Sequence, residues 1–205
     1  MRSPWASCSA AVEARTPTAT PGDAAACTVL DDIVVLAVSD AVSGTRGERL
    51  AATLVEVALE EAARTRDPAE AVMRAARLAG GEGEATLQVA IASETRVAVA
   101  VAGDGPVGLA ECGGPPRRLD PGWEAPLSYI SGSRGLVGRP YTVAVEARPP
   151  YTIAVATDGI PWTLLARLLV EACTRPPLLL ARRAVASRQA RLWDDRGVAI
   201  ATIRG

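Results

Sequence analysis

Residues 151–164 read YTIAVATDGIPWTL, and the fold is decided there. An apolar, strand-like run ends in a carboxylate, Asp158. Gly159 follows, and an amphipathic helix is expected over 161–173. Other apolar runs carry carboxylates at their ends in the same way. Asp40 ends DDIVVLAVSD (31–40), Asp23 stands in PGDAAACTVL (21–30), and Asp194 opens WDDRGVAIATI (193–203). Burying a carboxylate beside a hydrophobic sheet is expensive unless something positive neutralises it. The usual candidates are Arg, Lys or a metal ion. The chain has no Lys and no His, so a hard divalent cation held by oxygen ligands is the leading explanation.

Outward from that stretch, 141–147 and 151–157 read as a hairpin. At the start, 5–14 reads as a strand, with Pro17 and Pro21 marking a turn. Residues 24–30 and 33–38 read as a second hairpin that turns at Asp31 and Asp32. Thr45 and Glu48 have capping-box spacing, and a helix is expected over about 46–64, burying Leu50, Leu54, Val57 and Ala58. Asp67 as N-cap and Pro68 at the first helical position start another helix, which runs to about Leu78. Residues 85–93 and 96–102 pair around a Ser-Glu-Thr turn, and 106–110 is a short strand. Residues 111–139, rich in Gly, Pro and Arg, are the least structured part. A helix over 176–191 carries Arg182, Arg183, Arg188 and Arg191 on a solvated side, and 198–203 closes the chain as a strand. Strands, two helices, strands, two helices and a strand, with few crossovers, predict an α+β layered protein with antiparallel sheets.

Composition narrows the function. At 205 residues the simplest organisation is one domain, 1–205. A net charge of −1 gives no electrostatic footprint for nucleic acid or an anionic membrane. No apolar run approaches the roughly 20 residues that a spanning helix needs. MRSPWASCSAAVEART (1–16) lacks the continuous apolar core of a secretory signal, so a cytoplasmic protein is expected. Without His there can be no Ser–His–Asp triad, Cys–His dyad or histidine zinc ligand. Cys8, Cys27, Cys112 and Cys173 form no CxxC pair. They are expected as unlinked thiols, Cys27 and Cys173 acting as small core residues; a Cys8–Cys27 bridge stays open if two N-terminal strands pair. Gly80 to Gly83 is no phosphate loop, since no Lys follows and the Walker spacing is missing.

Hairpins bring strand ends together, so carboxylates distant in sequence can converge. Such clusters bind Mg or Mn. Two such ions can activate a water for in-line attack on phosphorus without any histidine.

In this order the motifs resemble those of the metal-dependent protein phosphatase 2C (PPM) family. PGDA (21–24) resembles its early acidic motif, and AVSDAVSG (37–44) resembles V-x-D-G-x-G-G, with a helix following. EATLQVAIASETRVAVAVAGDGPVGLA (84–110) resembles the G-T-T … N-x-G-D-S-R hairpin. YTIAVATDGIPWTL resembles L-L-A-S-D-G-L-W-D, and WDDRGVAIATI resembles the terminal D-N-x-T-V-x-V-V. The resemblance spans nearly the whole chain. It implies a four-layer α-β-β-α sandwich of two antiparallel sheets flanked by helix pairs. It also implies an Mg- or Mn-dependent serine/threonine phosphatase acting on phosphorylated protein through a metal-bound water. The compact length is similar to that of the bacterial sporulation and sigma-regulator phosphatases.

The resemblance assigns roles. Asp40 would bridge two metal ions, and the backbone carbonyl of Ala41 would ligate one of them. Asp158 and Asp194 would complete the other shell, with Asp23 reaching a metal or its water. Asp104, in Gly103-Asp104-Gly105, corresponds to a carboxylate associated with a third, weaker metal. Arg15 lies where a phosphate-binding Arg is often found. Departures are visible too. The first glycine motif is degraded, the histidine often placed after it is absent, and Asp195 stands where Asn is usual. The substrate-contacting flap, about 111–139, is reduced. A catalytically weak relative serving as a regulatory binding module is therefore the alternative, and a small-molecule phosphate is a further substrate class. Asp195 replaces Asp194 as ligand if the register slips by one. Asp32 is an outside candidate. Trp123 and Tyr129 either contact substrate or pack against the sandwich.

Overall fold

In the computed structural model, which describes residues 5–16, 20–122, 128–191 and 193–205, thirteen strands and four helices follow one another. In chain order they are β1 (Ala6–Glu13), β2 (Ala24–Val29), β3 (Val34–Ser39), α1 (Glu48–Thr65), α2 (Pro68–Leu78), β4 (Glu84–Ala85), β5 (Leu87–Ala92) and β6 (Arg96–Ala102). Then come β7 (Val107–Glu111), β8 (Arg117–Arg118), β9 (Tyr129–Ser131), β10 (Gly135–Val137), β11 (Tyr141–Glu146), β12 (Tyr151–Ala156), α3 (Trp162–Glu171), α4 (Pro177–Val185) and β13 (Arg196–Ile203).

Strand β3 shows why these pieces form layers. It is buried along its whole length, and its side chains divide between two cores. Val34, Leu36 and Val38 point one way, Val35 and Ala37 the other. A strand apolar on both faces needs cover on both sides. It lies in a five-stranded antiparallel sheet ordered β11-β6-β5-β3-β2, and the second such sheet is ordered β1-β13-β12-β7-β8. Leu36, Val99, Tyr151, Ile153 and Ala201 fill the space between the sheets. Leu50, Leu54 and Ala58 of α1 and Val72 of α2 cover the outer face of the β3 sheet. Leu164, Leu165 and Leu168 of α3 and Leu180 of α4 cover the outer face of the β13 sheet. The architecture is the expected four-layer α-β-β-α sandwich.

Several local expectations are corrected. β11 and β12 are not a hairpin. β11 pairs with β6 and β12 with both β13 and β7, so the chain passes from one sheet to the other through Pro149 and Pro150. Alternating apolar residues define the faces of a strand and say nothing of its neighbour. Thr45 is not the cap of α1. Gly47 holds that position without a side-chain bond, while Thr45 Oγ1 donates to Val42 O and accepts from Glu84 N–H. Helix α4 ends at Val185, well before 191, and Ser187 Oγ then accepts from Gln189 N–H, a local bond that competes with helix. Within 111–139, β8 extends the β13 sheet, and β9 and β10 join β4 in a small sheet ordered β10-β9-β4. Strands of two or three residues are too short for alternation to register in sequence.

The Asp67 cap is as expected. Its carboxylate accepts from Ala69 N–H at 2.8 Å and Glu70 N–H at 3.3 Å, with Pro68 opening α2. Asp67→Ala should therefore cost about 1 kcal/mol, a fall of ~2–4 °C in melting temperature for a chain of this size. Thermal melting followed by circular dichroism checks it, and an unchanged midpoint would deny the cap its role.

The cysteines also differ from expectation. Cys8 is bonded to Cys27 and Cys112 to Cys173, and none is free. Cys8 lies on β1 and Cys27 on β2, so the first bridge joins the two sheets at one edge of the sandwich. The second ties the chain just after β7 to the chain just after α3. Neither pairing follows from spacing, since the partners meet only once the layers are assembled.

Candidate metal centre

The antiparallel register brings the carboxylates together. Ala24 pairs with Ser39, which sets Asp23 and Asp40 side by side just beyond the ends of β2 and β3. Ala156 pairs with Val198, which carries Asp158 alongside the start of β13 and the Asp194-Asp195 turn before it. One hydrogen bond fastens the two sheets here: Thr157 Oγ1 donates to Asp23 Oδ2 at 2.7 Å. The backbone after Asp40 is held as well. Thr86 N–H donates to Asp40 O at 2.8 Å and Val42 N–H to Glu84 O at 2.9 Å, which fixes the peptide of Ala41 between them.

Two glycines permit the close approach. A Cβ on Gly159 would stand 2.1 Å from Asp195 O, so only glycine lets the turn after Asp158 press against the Asp194-Asp195 turn. Gly103, at φ +146°, takes a conformation that favours glycine and packs its Cα against Thr86. That bend presents Asp104 on the same side of the molecule.

Electrostatics show how close the carboxylates are. Asp23 is 6% exposed. Burial pushes its carboxyl up to about 6, with Asp195 and Asp194 adding and the hydrogen bonds of Asp40 and Thr157 opposing. Its Oδ1 is buried and meets no N–H or hydroxyl donor among the described residues. Asp40 is raised further, first by burial and then by Asp23, Asp158 and Asp194, so the Asp23–Asp40 pair keeps a proton through neutral pH. Asp158 is pushed up to about 6 by burial, Asp194 and Asp104, against the pull of Arg191. Asp104 is raised chiefly by burial.

Asp194 and Asp195 have separate tasks. Both oxygens of Asp195 are taken, Oδ1 by Arg15 N–H at 2.6 Å and Oδ2 by Gly22 N–H at 2.7 Å. Asp195 therefore clasps the two ends of the 15–22 segment, while Asp194 Oδ1 accepts from Asp195 N–H at 3.1 Å and the Asp194 charge raises Asp23, Asp40 and Asp158. Arg15 is exposed at the rim, held there by its backbone. Asp32 is elsewhere, in a bidentate pair with Arg66. Tyr129 accepts from Arg134 at 2.7 Å, and Trp123 lies outside the described residues. Trp193, 77% exposed and adjacent to Asp194, carried no signal in the sequence, since it interrupts no pattern. Arg191, assigned above to a helix face, instead bonds Asp158 Oδ2 at 2.9 Å. A cavity of about 610 Å³ beside Pro68 and β11, lined by Asp32 and Asp67, lies away from this carboxylate cluster.

Among the described residues, no three Asp, Glu, Cys or His side chains are arranged to hold an ion as they stand. The chemistry of the set nevertheless fits a hard divalent cation: oxygen donors only, a buried orphan oxygen on Asp23, and a retained proton where positive charge is wanted.

No family model matches the sequence, and no curated protein matches it. Solved structures do match in shape. RsbX in complex with magnesium superposes with a TM-score of 0.73 at 12% identity, covering 99% of this chain and 98% of that one. The photosystem II phosphatase PBCP gives 0.77 at 15%, covering 97% and 99%. The PPM Ser-Thr phosphatase MsPP from Mycobacterium smegmatis, in complex with cacodylate, gives 0.70 at 18%, covering 97% and 98%. The chain has the PPM serine/threonine phosphatase fold. In that PPM fold its converging aspartates sit at strand ends of both sheets.

The retained proton has a measurable consequence. Asp23 and Asp158 have folded values of about 6 against an ordinary 3.8. The unfolded chain loses these protons first as pH rises, so their contribution favours the folded state at acid pH and disappears through about 6. Metal-free protein should thus melt at a lower temperature at pH 8 than at pH 5. Mn should raise the melting temperature more at pH 8, because ligation needs ionised carboxylates. Differential scanning with and without Mn checks both signs, and a Mn effect larger at pH 5 would contradict the cluster.

Proposed function

We propose that the protein is a minimal metal-dependent phosphatase acting on phosphoserine or phosphothreonine in proteins. The observation that supports this best is the meeting of Asp23, Asp40, Asp158 and Asp194 from four strand ends within a PPM fold. Asp40, the Ala41 carbonyl, Asp158 and Asp194 would hold two divalent ions, Mn or Mg, with Asp23 in support. Bound there, such ions supply a nucleophile at neutral pH and offset charge developing on the phosphoryl group.

The remaining residues orient these groups. Thr157 Oγ1 fixes Asp23 Oδ2, while Oδ1 stays buried without a donor among the described residues. Asp40 and Asp23 would have to give up the proton they hold to ligate such ions. Asp195 anchors Arg15 at the rim, where its guanidinium would take the non-reacting phosphate oxygens. Hydrolysis of p-nitrophenyl phosphate and of a phosphothreonine peptide, with and without Mn, tests the reading. Turnover that depends on Mn supports it, and no turnover of either substrate overturns it. A second reading, a regulatory binding module, is favoured by the arrangement of the carboxylates: among the described residues no three acidic, Cys or His side chains are placed to hold an ion. Mn binding without turnover of either substrate would select that reading.

A further inference from the structure

The resemblance in sequence implies a third, weaker metal near Asp104, and the residues there do not suit one. Asp104, Asp158, Arg118, Trp162 and Arg191 line a cavity of about 390 Å³ beside the carboxylate cluster. One of its two arginines is committed elsewhere. Arg118 Nε donates to the buried Asp120 at 2.6 Å, and its guanidinium lies 5.6 Å from the centre of the Trp162 ring. Arg191 is the cation that faces the aspartates. Its Nη1 donates to Asp158 Oδ2 at 2.9 Å, and its charge acts on Asp104 as well.

An exposed ion pair is ordinarily worth little, because two long side chains must be held in one geometry. Arg191 is held by its backbone. Its N–H donates to Gly159 O at 2.9 Å, the residue next to Asp158, and its carbonyl accepts from Asp194 N–H at 3.2 Å. The turn that ends in the Asp194 carboxylate thus carries Arg191 to Asp158 as part of the same construction. A guanidinium is permanently charged and satisfies a carboxylate with directed N–H donors. A divalent ion at this spot would have to displace a cation already bonded to one of the two carboxylates that the described residues bring to the cavity.

We propose that Arg191, bonded to Asp158 in the cavity that Asp104 also lines, is the built-in cation there in place of a third metal ion. The chain would then need two dissociable ions and no more. The inference rests on the metal reading above, and its test counts ions, so that the two can fail separately. Mn bound per chain is measured by titration calorimetry and by elemental analysis after dialysis, for wild type, Arg191→Gln, Arg191→Lys and Arg191→Gln/Asp104→Asn, each with its circular dichroism spectrum.

The expected result is two Mn for wild type and Arg191→Lys, three for Arg191→Gln with the extra site at least tenfold weaker, and two again for the double variant. Three Mn on wild type, or two on Arg191→Gln, would overturn the inference while leaving the metal centre standing. No Mn on wild type would overturn both. If Arg191→Gln loses its fold, the Arg191→Lys count decides: two Mn sustain the inference, and three overturn it because any correctly placed cation should serve.

Discussion

Asp158→Asn should abolish Mn-stimulated hydrolysis, by roughly 10³-fold or more, since a Lewis-acid ion contributes several kcal/mol to such a reaction. The fold should survive. Asp158 lies beyond the end of β12, not in the core, and its hydrogen bond is to the side chain of Arg191. Asparagine keeps an oxygen for that bond and removes one negative charge from a cluster whose members raise one another. Metal-free Asp158→Asn should accordingly melt no lower than wild type at pH 8. Initial rates across a Mn titration, beside melting curves, check both parts. Near wild-type turnover would remove Asp158 from the metal-ligand set. A large loss of stability would show that the residue acts in packing.

Reduction should produce the second large effect. In the chain-entropy picture, the bridge between Cys8 and Cys27, 19 residues apart, contributes about 3 kcal/mol. The one between Cys112 and Cys173, 61 residues apart, contributes about 4 kcal/mol. At ~2–4 °C per kcal/mol for a chain of this size, losing both should lower the melting midpoint by on the order of 20 °C. Melting with and without a reductant measures the sum, and the pairs Cys8→Ala/Cys27→Ala and Cys112→Ala/Cys173→Ala separate the parts. Four titratable thiols in the unreduced, unfolded protein would contradict both bridges. The same thiol count on protein taken from its native source reports its compartment, because a reducing cytoplasm would leave the cysteines free.

The convergence that defines the candidate site was legible because it depends on where apolar runs stop. Asp40 and Asp158 end such runs, Asp194 precedes another, and antiparallel pairing then draws them together without further instruction. The layered α+β architecture was legible for a similar reason, since helices come in pairs between groups of strands. What sequence could not supply was partnership at long range. Asp195 and Asp194 are chemically identical neighbours, told apart by their partners: Asp195 takes the N–H groups of Arg15 and Gly22, and Asp194 takes that of Asp195. Arg191 fits the polar face of an extended helix, and its real position follows from a turn that begins at Ala186. β11 and β12 have the alternation of a hairpin, yet each finds its partners in a different sheet.

The bridge from β1 to β2 gives the sandwich a spine. Both strands are edges, and no disulfide joins the opposite edge, where β11 and the two-residue β8 lie. On the far side the tie is the backbone itself, which leaves β11 and enters β12 through Pro149 and Pro150. Asp23, four residues before Cys27, is thus fastened to the sulfur-bridged side, with Asp40 beside it, whereas Asp104 follows β6, one strand in from the unbridged edge.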